Sequence, residues 1–335
     1  MHDTALYFPY IRPPDNAWFR QMALYWDSIG AIVPHDYKND SRSAPHFETL
    51  IETGLLQAVR PMEHLQYRYE FGGDFLTHVE RKASAERENP KWTKLLPYRS
   101  LVHAEKLDYL GGELCRLGLA QQVNYSWYDL EGWVAAEFMS YLACVIGRSS
   151  TSRLLPITND QHCAALITGT LPNPSAEQQR PADAVREVFL DAIVPSPGPE
   201  VPFEEIAKFK NQHRDQLTKF RHMLEAEILI VASVTPADAR AWVAQEKAAA
   251  LREQSEELSA KMRERWHTVL LGTFFPLVAA GAQMLGANVS EASGWVSSVA
   301  GLGGAGYAVG TGVREAGKSR SDPLAYAAYL KKAFA

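Results

Sequence analysis

The chain has 335 residues, of which 46% are hydrophobic and 22% are charged, and this length suggests two domains or one large domain with an appendage. Its formal net charge is −5, so the chain lacks the global basic field that favours nucleic acid as a partner. Its three cysteines, Cys115, Cys144 and Cys163, form neither a CxxC pair nor a Cys/His ligand spacing. They therefore predict a reducing compartment without a disulfide framework.

The first fifteen residues lack the basic segment and apolar core of a secretory signal. We therefore expect a cytoplasmic protein, which the segment described below could place at the inner face of a membrane.

The first sixty residues alternate between two periodicities. Residues 5–9, 31–34 and 55–60 have the apolar, bounded character of strands. Between them, Trp18, Met22, Tyr25 and Ile29 recur at helical spacing, and residues 45–53 give a second helical pattern. The order β-α-β-α-β favours a parallel sheet with crossover helices.

The same alternation weakens over residues 61–98 and then resumes. Further strands are predicted at 100–107, 121–125, 154–158 and 188–194, and helices at 109–117 and 130–146. We therefore predict an α/β domain of (βα) repeats over residues 1–198. Periodicity does not distinguish a barrel-like closure from an open parallel sheet.

The proline-rich segment 195–202 marks a change of character. Beyond it, residues 203–231 and 236–265 give two long helical patterns, typical of an antiparallel hairpin or a coiled-coil arm. The remaining region, residues 199–335, is predicted to be mostly α-helical.

Residues 268–313 contain a single charged residue, Glu291. The first half is apolar and about as long as a bilayer core requires of a helix. Gly306 and Gly310 in the second half form a GxxxG step, which lets helices approach closely. We predict an apolar helical hairpin that contacts either a membrane or a protein surface, in this fold or in a homo-oligomer. The contact residues would be Leu270, Phe274, Leu277, Val278, Gly306 and Gly310.

Basic residues flank this segment at both ends, at Lys261 and Arg265 before it and at Arg314 and Lys318 after it. The positive-inside rule expects this of a hairpin that enters a membrane and returns to the same side.

Residues 301–306, GLGGAG, match the GxGxxG pattern of dinucleotide sites. Only 29 residues follow Gly306, too few to complete a mononucleotide-binding half, so we interpret these glycines as packing residues. The sequence contains no GxxxxGK[ST], GxSxG or HExxH motif, and it identifies no cofactor.

Polar residues at the predicted strand ends are the remaining site candidates, because α/β folds bind ligands at the carboxyl ends of their strands. Asp36, Arg60, Asn159 and His162 lie at such ends. From the wider set we select Arg12, His35, His103, Glu105 and Asp160, whose side chains suit an anion or a metal. The structural alternative is that each caps a helix or closes a turn. No spacing typical of metal ligands is present, so no metal centre is predicted.

The opening ALYFPYIRPPDNAWFRQMALYWDSIGAIVP resembles an uncharacterised bacterial family whose members begin with a short LYYP strand, a Trp-containing helix and IVP. The helical segment 202–228, with Phe220 and Arg221, is similar to the same family. The resemblance implies membership of a family of unknown function and transfers no catalytic residue.

Three functions are consistent with these patterns. The first is a bacterial interaction or effector protein, by analogy a phage-defence effector, that acts through its hairpin. The second is an α/β enzyme or sensor that binds a small anionic ligand at its strand ends. The third is a scaffold that oligomerises through the C-terminal helices. The sequence does not decide whether the protein is an enzyme.

Overall fold

The structure is a computed structural model that describes residues 4–37, 45–65, 69–88, 98–148, 154–169, 176–265 and 322–334. Its strands are β1 (Thr4–Tyr7), β2 (Ser28–Ile32), β3 (Leu56–Val59), β4 (Arg99–His103), β5 (Ala120–Asn124), β6 (Trp127–Glu131) and β7 (Leu154–Ile157). The first eight helices are α1 (Ala17–Tyr25), α2 (Pro45–Glu52), α3 (Pro61–Leu65), α4 (Tyr69–Glu88), α5 (Ala104–Leu107), α6 (Leu110–Arg116), α7 (Gly132–Gly147) and α8 (Gln161–Gly169). The later helices are α9 (Ala176–Ile193), α10 (Phe203–Gln212), α11 (Arg214–Ala232), α12 (Ala237–Arg265) and α13 (Ala325–Phe334).

Four strands form a parallel sheet in the order β3-β2-β1-β7. Every residue of β2 is buried, as expected of a strand covered on both faces. The α/β prediction with a parallel sheet is therefore confirmed. Among the described strands, β3 and β7 are the two edges of this sheet, which is the open arrangement.

The middle of the first domain departs from the predicted (βα) repeat. Strands β4, β5 and β6 form a separate antiparallel sheet in the order β4-β6-β5. Only Tyr125 and Ser126 separate β5 from β6, and so short a connection joins antiparallel strands, whereas a parallel pair needs a long crossover. The repeat prediction is therefore wrong for these three strands.

Helix α7 packs inside the first domain. Trp133, Phe138 and Leu142 belong to the same buried apolar cluster as Leu6 and Phe8 of the β1 segment. Burial of each of these large side chains contributes on the order of 1.5–3 kcal/mol relative to exposure.

The described chain divides into two compact units. The first contains the described residues within Met1–Ala184 and Ser196–Gln212, and the second contains those within Val185–Pro195 and His213–Ala335. In the second unit, Leu258 of α12 packs against Ala325 and Ala328 of α13.

Two elements predicted from the sequence after residue 187 differ from the elements that the structure contains. The predicted strand 188–194 lies mostly within helix α9, where Val185, Phe189 and Ile193 are buried at helical spacing. A short apolar run does not by itself distinguish a buried strand from a buried helix. The predicted helix 203–231 is two helices, because His213 between them has a non-helical backbone (φ −120°, ψ 26°).

The predicted hairpin 268–313, with Leu270, Phe274, Leu277, Val278, Gly306 and Gly310, lies outside the described residues. Among the residues that the structure describes, no helix has the length and apolarity that crossing a membrane requires.

Candidate functional site

A pocket of about 410 Å³ opens in the first unit beside the carboxyl ends of β1 and β7. In the parallel sheet, β2 and then β3 lie on one side of β1, and β7 lies on the opposite side of β1. Such a change of direction in strand order is where open α/β sheets bind their ligands. The polar and aromatic lining residues are Tyr10, Arg12, Tyr37, Tyr98, Ser100, His103, Lys106, Trp127, Asp160 and Cys163.

The loop after β2 is fixed from two sides. Arg60 Nη1 donates hydrogen bonds to the carbonyl oxygens of Val33, at 3.1 Å, and of Pro34. The backbone N–H of His35 donates to Oε2 of Glu105 at 2.5 Å. These bonds hold the exposed residue Asp36 beside the end of β4.

His103 forms a hydrogen-bonded pair with Asp36. His103 is 4% exposed, and its Nε2 lies 3.1 Å from Oδ1 of Asp36. Its Nδ1 accepts a 3.3 Å hydrogen bond from the backbone N–H of Glu105. A neutral imidazole that accepts at Nδ1 carries its proton at Nε2, so His103 donates to Asp36. Burial lowers the pKa of His103, against the opposing effect of the Asp36 and Glu105 carboxylates.

Ligand atoms of Asp36, His103 and Glu105 all lie within 4.8 Å of one another, a separation that a metal ion could bridge. The hydrogen bonds do not fit that role. A metal at Nε2 would move the imidazole proton to Nδ1, where it would face the N–H of Glu105. We therefore interpret these three residues as a hydrogen-bonded group that orients His103.

Lys106 is the least expected residue of the pocket. It is 3% exposed yet lines the cavity, and within the described residues no hydrogen bond or ion pair joins its amine to another side chain. Burial lowers the pKa of Lys106 to about 7, and the nearby Glu105 carboxylate opposes this only in part. Near neutral pH the pocket therefore holds an amine that exchanges readily between its charged and neutral forms.

Arg12 enters the pocket from the segment after β1. Its Nε donates a 2.7 Å hydrogen bond to the hydroxyl of Tyr37, and its guanidinium carbon lies 5.8 Å from the centre of the Tyr37 ring. The Tyr37 contact fixes the guanidinium beside the cavity. Trp127 adds a further aromatic surface and meets the His103 ring edge to face, with ring centres 4.9 Å apart.

Asp160 and Cys163 form the β7 side of the pocket. Oδ1 of Asp160 accepts the backbone N–H of Cys163 at 2.9 Å, so Asp160 caps the amino end of α8. Burial raises the pKa of the Cys163 thiol to about 12. This thiol is therefore protonated at neutral pH and unsuited to nucleophilic catalysis.

The five predicted site residues lie in or beside this pocket, three of them after strands of the parallel sheet and two at the end of β4. Arg12, His103 and Asp160 line the pocket itself. Glu105 and His35 lie next to it, where the Glu105 carboxylate accepts the His35 backbone N–H and the His35 side chain is exposed. The structural alternative also has support, because Asp160 and His103 both cap helices.

The predicted set leaves out Asp36 and Lys106, and also the aromatic lining residues Tyr37, Tyr98 and Trp127. Asp36 was recognised as a strand-end residue but not grouped with His103. The pattern SLVHAEKL predicts a strand that includes Lys106, whereas the structure has helix α5 there. Nothing in this pattern shows that the amine is buried, because lysine is almost always exposed. The only sequence signal for its burial is its position between two apolar residues, Val102 and Leu107. Both of these are buried in the structure.

No curated protein and no solved structure matches the chain. The model of a family of unknown function, DUF6236, matches residues 138–335. The match includes the β7 side of the pocket, with Asp160 and Cys163, and the whole C-terminal helical region. It confirms the expected uncharacterised family, while the N-terminal signature stays a prediction. The chain belongs to the DUF6236 family of unknown function.

Proposed function

We propose that the first unit binds a small organic carboxylate in the pocket beside β1 and β7. The observation that supports this most strongly is Lys106, a buried amine that lines a cavity and has no side-chain partner among the described residues. Burying an ammonium costs several kcal/mol, and the nearby Glu105 carboxylate offsets this cost only in part. A ligand carboxylate beside Lys106 would supply a further counter-charge.

The other lining residues favour the same class of ligand. Arg12 adds a second cation, and a guanidinium recognises the planar carboxylate group well. Tyr37, Tyr98 and Trp127 offer ring surfaces to an apolar or aromatic body. A pocket with a few polar groups among apolar walls is typical of small-molecule sites.

The charge of the pocket favours a carboxylate over a phosphate. Asp160 lines the cavity and Asp36 stands beside His103, so two acidic side chains oppose the entry of a dianion. Asp160 also caps the first turn of α8, because its carboxylate accepts the backbone N–H of Cys163. That N–H is therefore not available to bind a phosphate. Each negative charge on a ligand adds to this repulsion, so the acidic side chains disfavour a singly charged ligand less than a dianion.

The proposal is tested with mandelate, an aromatic carboxylate, in thermal unfolding of the full chain. We expect mandelate to raise the Tm of the wild type and to leave Lys106→Met unchanged. Ligand at a hundred times its Kd stabilises a protein by about 2.7 kcal/mol. Lys208→Met, on the exposed surface of α10, is the matched control and should respond like the wild type. Equal shifts in the wild type and Lys106→Met would contradict the proposal.

We also propose that the protein is an effector that acts through residues 268–313. In this proposal the segment is a hairpin that contacts a membrane or a second copy of the chain. It is supported by the almost uncharged sequence of this segment and its basic flanks. The helices on its two sides, α12 and α13, pack together through Leu258 and Ala325.

A further inference from the structure

The pocket combines an amine with groups that suit a carbonyl substrate. Lys106 is 3% exposed, and the apolar residues Ala135, Ala136 and Met139 of α7 line the same cavity. Such surroundings favour the neutral amine, because they do not solvate the ammonium. A neutral lysine amine in an apolar pocket is an activated nucleophile toward carbonyl carbon.

We infer that Lys106 forms an imine with an α-oxo acid whose carboxylate is held in the pocket between Arg12 and Lys106, where it also stabilises the protonated imine. This inference rests on the proposed function, since the carboxylate site is the one proposed above. It names the substrate class more narrowly, as a carboxylate with an adjacent ketone or aldehyde group.

The reaction needs only the amine, the carbonyl substrate and water. The lone pair of Lys106 Nζ adds to the carbonyl carbon, so that a C–N bond forms, the C=O π bond breaks, and the first nitrogen proton is transferred to the oxygen. The hydroxyl group then leaves as water while the nitrogen loses its second proton, which gives the imine. One amine and one carbonyl thus become one imine and one water, with no change of oxidation state.

His103 lines the same cavity as Lys106, but both of its nitrogens are engaged, because Nε2–H donates to Asp36 at 3.1 Å and Nδ1 accepts the N–H of Glu105. The protons that these steps exchange therefore pass to and from water in the open pocket. Burial brings the pKa of Lys106 to about 7, which supplies neutral amine at physiological pH.

Reductive trapping tests the inference. The full chain is incubated with benzoylformate, an aromatic α-oxo acid, and with sodium cyanoborohydride, which reduces an imine to a stable secondary amine. We expect one adduct, with the mass of benzoylformate less one oxygen atom, and peptide mapping should place it at Lys106. Excess mandelate, which has the same skeleton without the ketone, should suppress the labelling.

The controls separate this inference from the proposed function. Lys106→Arg keeps a cation but cannot form the imine, so it should lose the adduct. Exposed lysines such as Lys208 and Lys219 report non-specific labelling. If mandelate binds but Lys106 is labelled no faster than Lys208, the imine is excluded and the carboxylate site stands. If neither compound binds, both proposals fail.

Discussion

Nε2 of His103 lies 3.1 Å from Oδ1 of Asp36, and this hydrogen bond joins the end of β4 to the loop after β2. The Asp36 carboxylate raises the pKa of His103 against the larger lowering effect of burial. Asp36→Asn should therefore lower the pKa of the imidazole further, as followed by an NMR titration. Since Asp36 is 60% exposed, we expect a loss of stability below about 1 kcal/mol.

The control for this measurement is Asp74→Asn, an exposed carboxylate on α4, which should leave the His103 titration unchanged. An imidazole that titrates identically in Asp36→Asn and the wild type would show that the pair does not form in solution.

The buried amine of Lys106 predicts a pH-dependent stability. Between pH 7 and its ordinary pKa of 10.5, the unfolded chain holds a proton on Lys106 that the folded chain has released. The free energy of unfolding should therefore rise with pH in this window by up to about 1.4 kcal/mol per unit from this residue.

Lys106→Met removes this dependence and provides the comparison. It should stabilise the protein most at pH 7 and below, where the folded chain must bury the charge, and progressively less toward pH 10.5. The groups around the pocket, Glu105, His103, Arg12 and Asp160, are the same in both proteins. A stability difference that is constant from pH 7 to pH 10 would contradict a buried Lys106.

A buried carboxylate on α7 predicts a purely structural effect. Glu137 is 4% exposed and accepts hydrogen bonds from His78 Nε2, at 3.0 Å, and from Lys82 Nζ. Glu137→Gln should lower the free energy of unfolding by about 1–3 kcal/mol, because two donors on α4 lose a charged partner. Chemical denaturation measures this change.

Glu137 does not line the pocket, so mandelate should stabilise Glu137→Gln as much as the wild type. Glu113→Gln breaks an exposed pair with Arg116 and should leave stability unchanged. If the two variants have equal stability, Glu137 does not hold α4 to α7.

The hairpin proposal makes a separate prediction. Leu277→Arg places a charge in the apolar half of residues 268–313, at a cost of roughly 3 kcal/mol for a helix at the centre of a bilayer. We expect the wild type to release dye from vesicles that contain anionic lipid, and Leu277→Arg to release much less.

Equal dye release by the two proteins would contradict membrane insertion. The alternative is that residues 268–313 hold an oligomer together. Native mass spectrometry tests it by comparing the full chain with the chain that lacks residues 266–335. The alternative predicts that the deletion reduces the oligomer to a monomer.

The sequence predicts where the candidate site lies better than it predicts which residues form it. The strand ends could be located because apolar runs such as residues 5–9 are followed by polar residues, and parallel strands bring those ends to one edge. For this reason Arg12 and Asp160 meet at one pocket, whereas His103 reaches it from β4 of the antiparallel sheet.

The remaining features depend on tertiary packing that local periodicity does not encode. Neither the burial of Lys106 nor the pairing of β6 with both β4 and β5 is visible in a window of neighbouring residues. Residues 188–194 show the same limit, because their apolar run suits either a strand or the helix that forms.

The most direct test of the carboxylate site is the number of protons taken up when mandelate binds at pH 8, measured by titration calorimetry in buffers of different ionisation enthalpy. With a pKa of about 7, Lys106 is mostly neutral at this pH, and a bound carboxylate should restore its charge. We predict an uptake of close to one proton for the wild type and none for Lys106→Met. Binding without proton uptake in the wild type, or equal uptake in both proteins, would contradict the site.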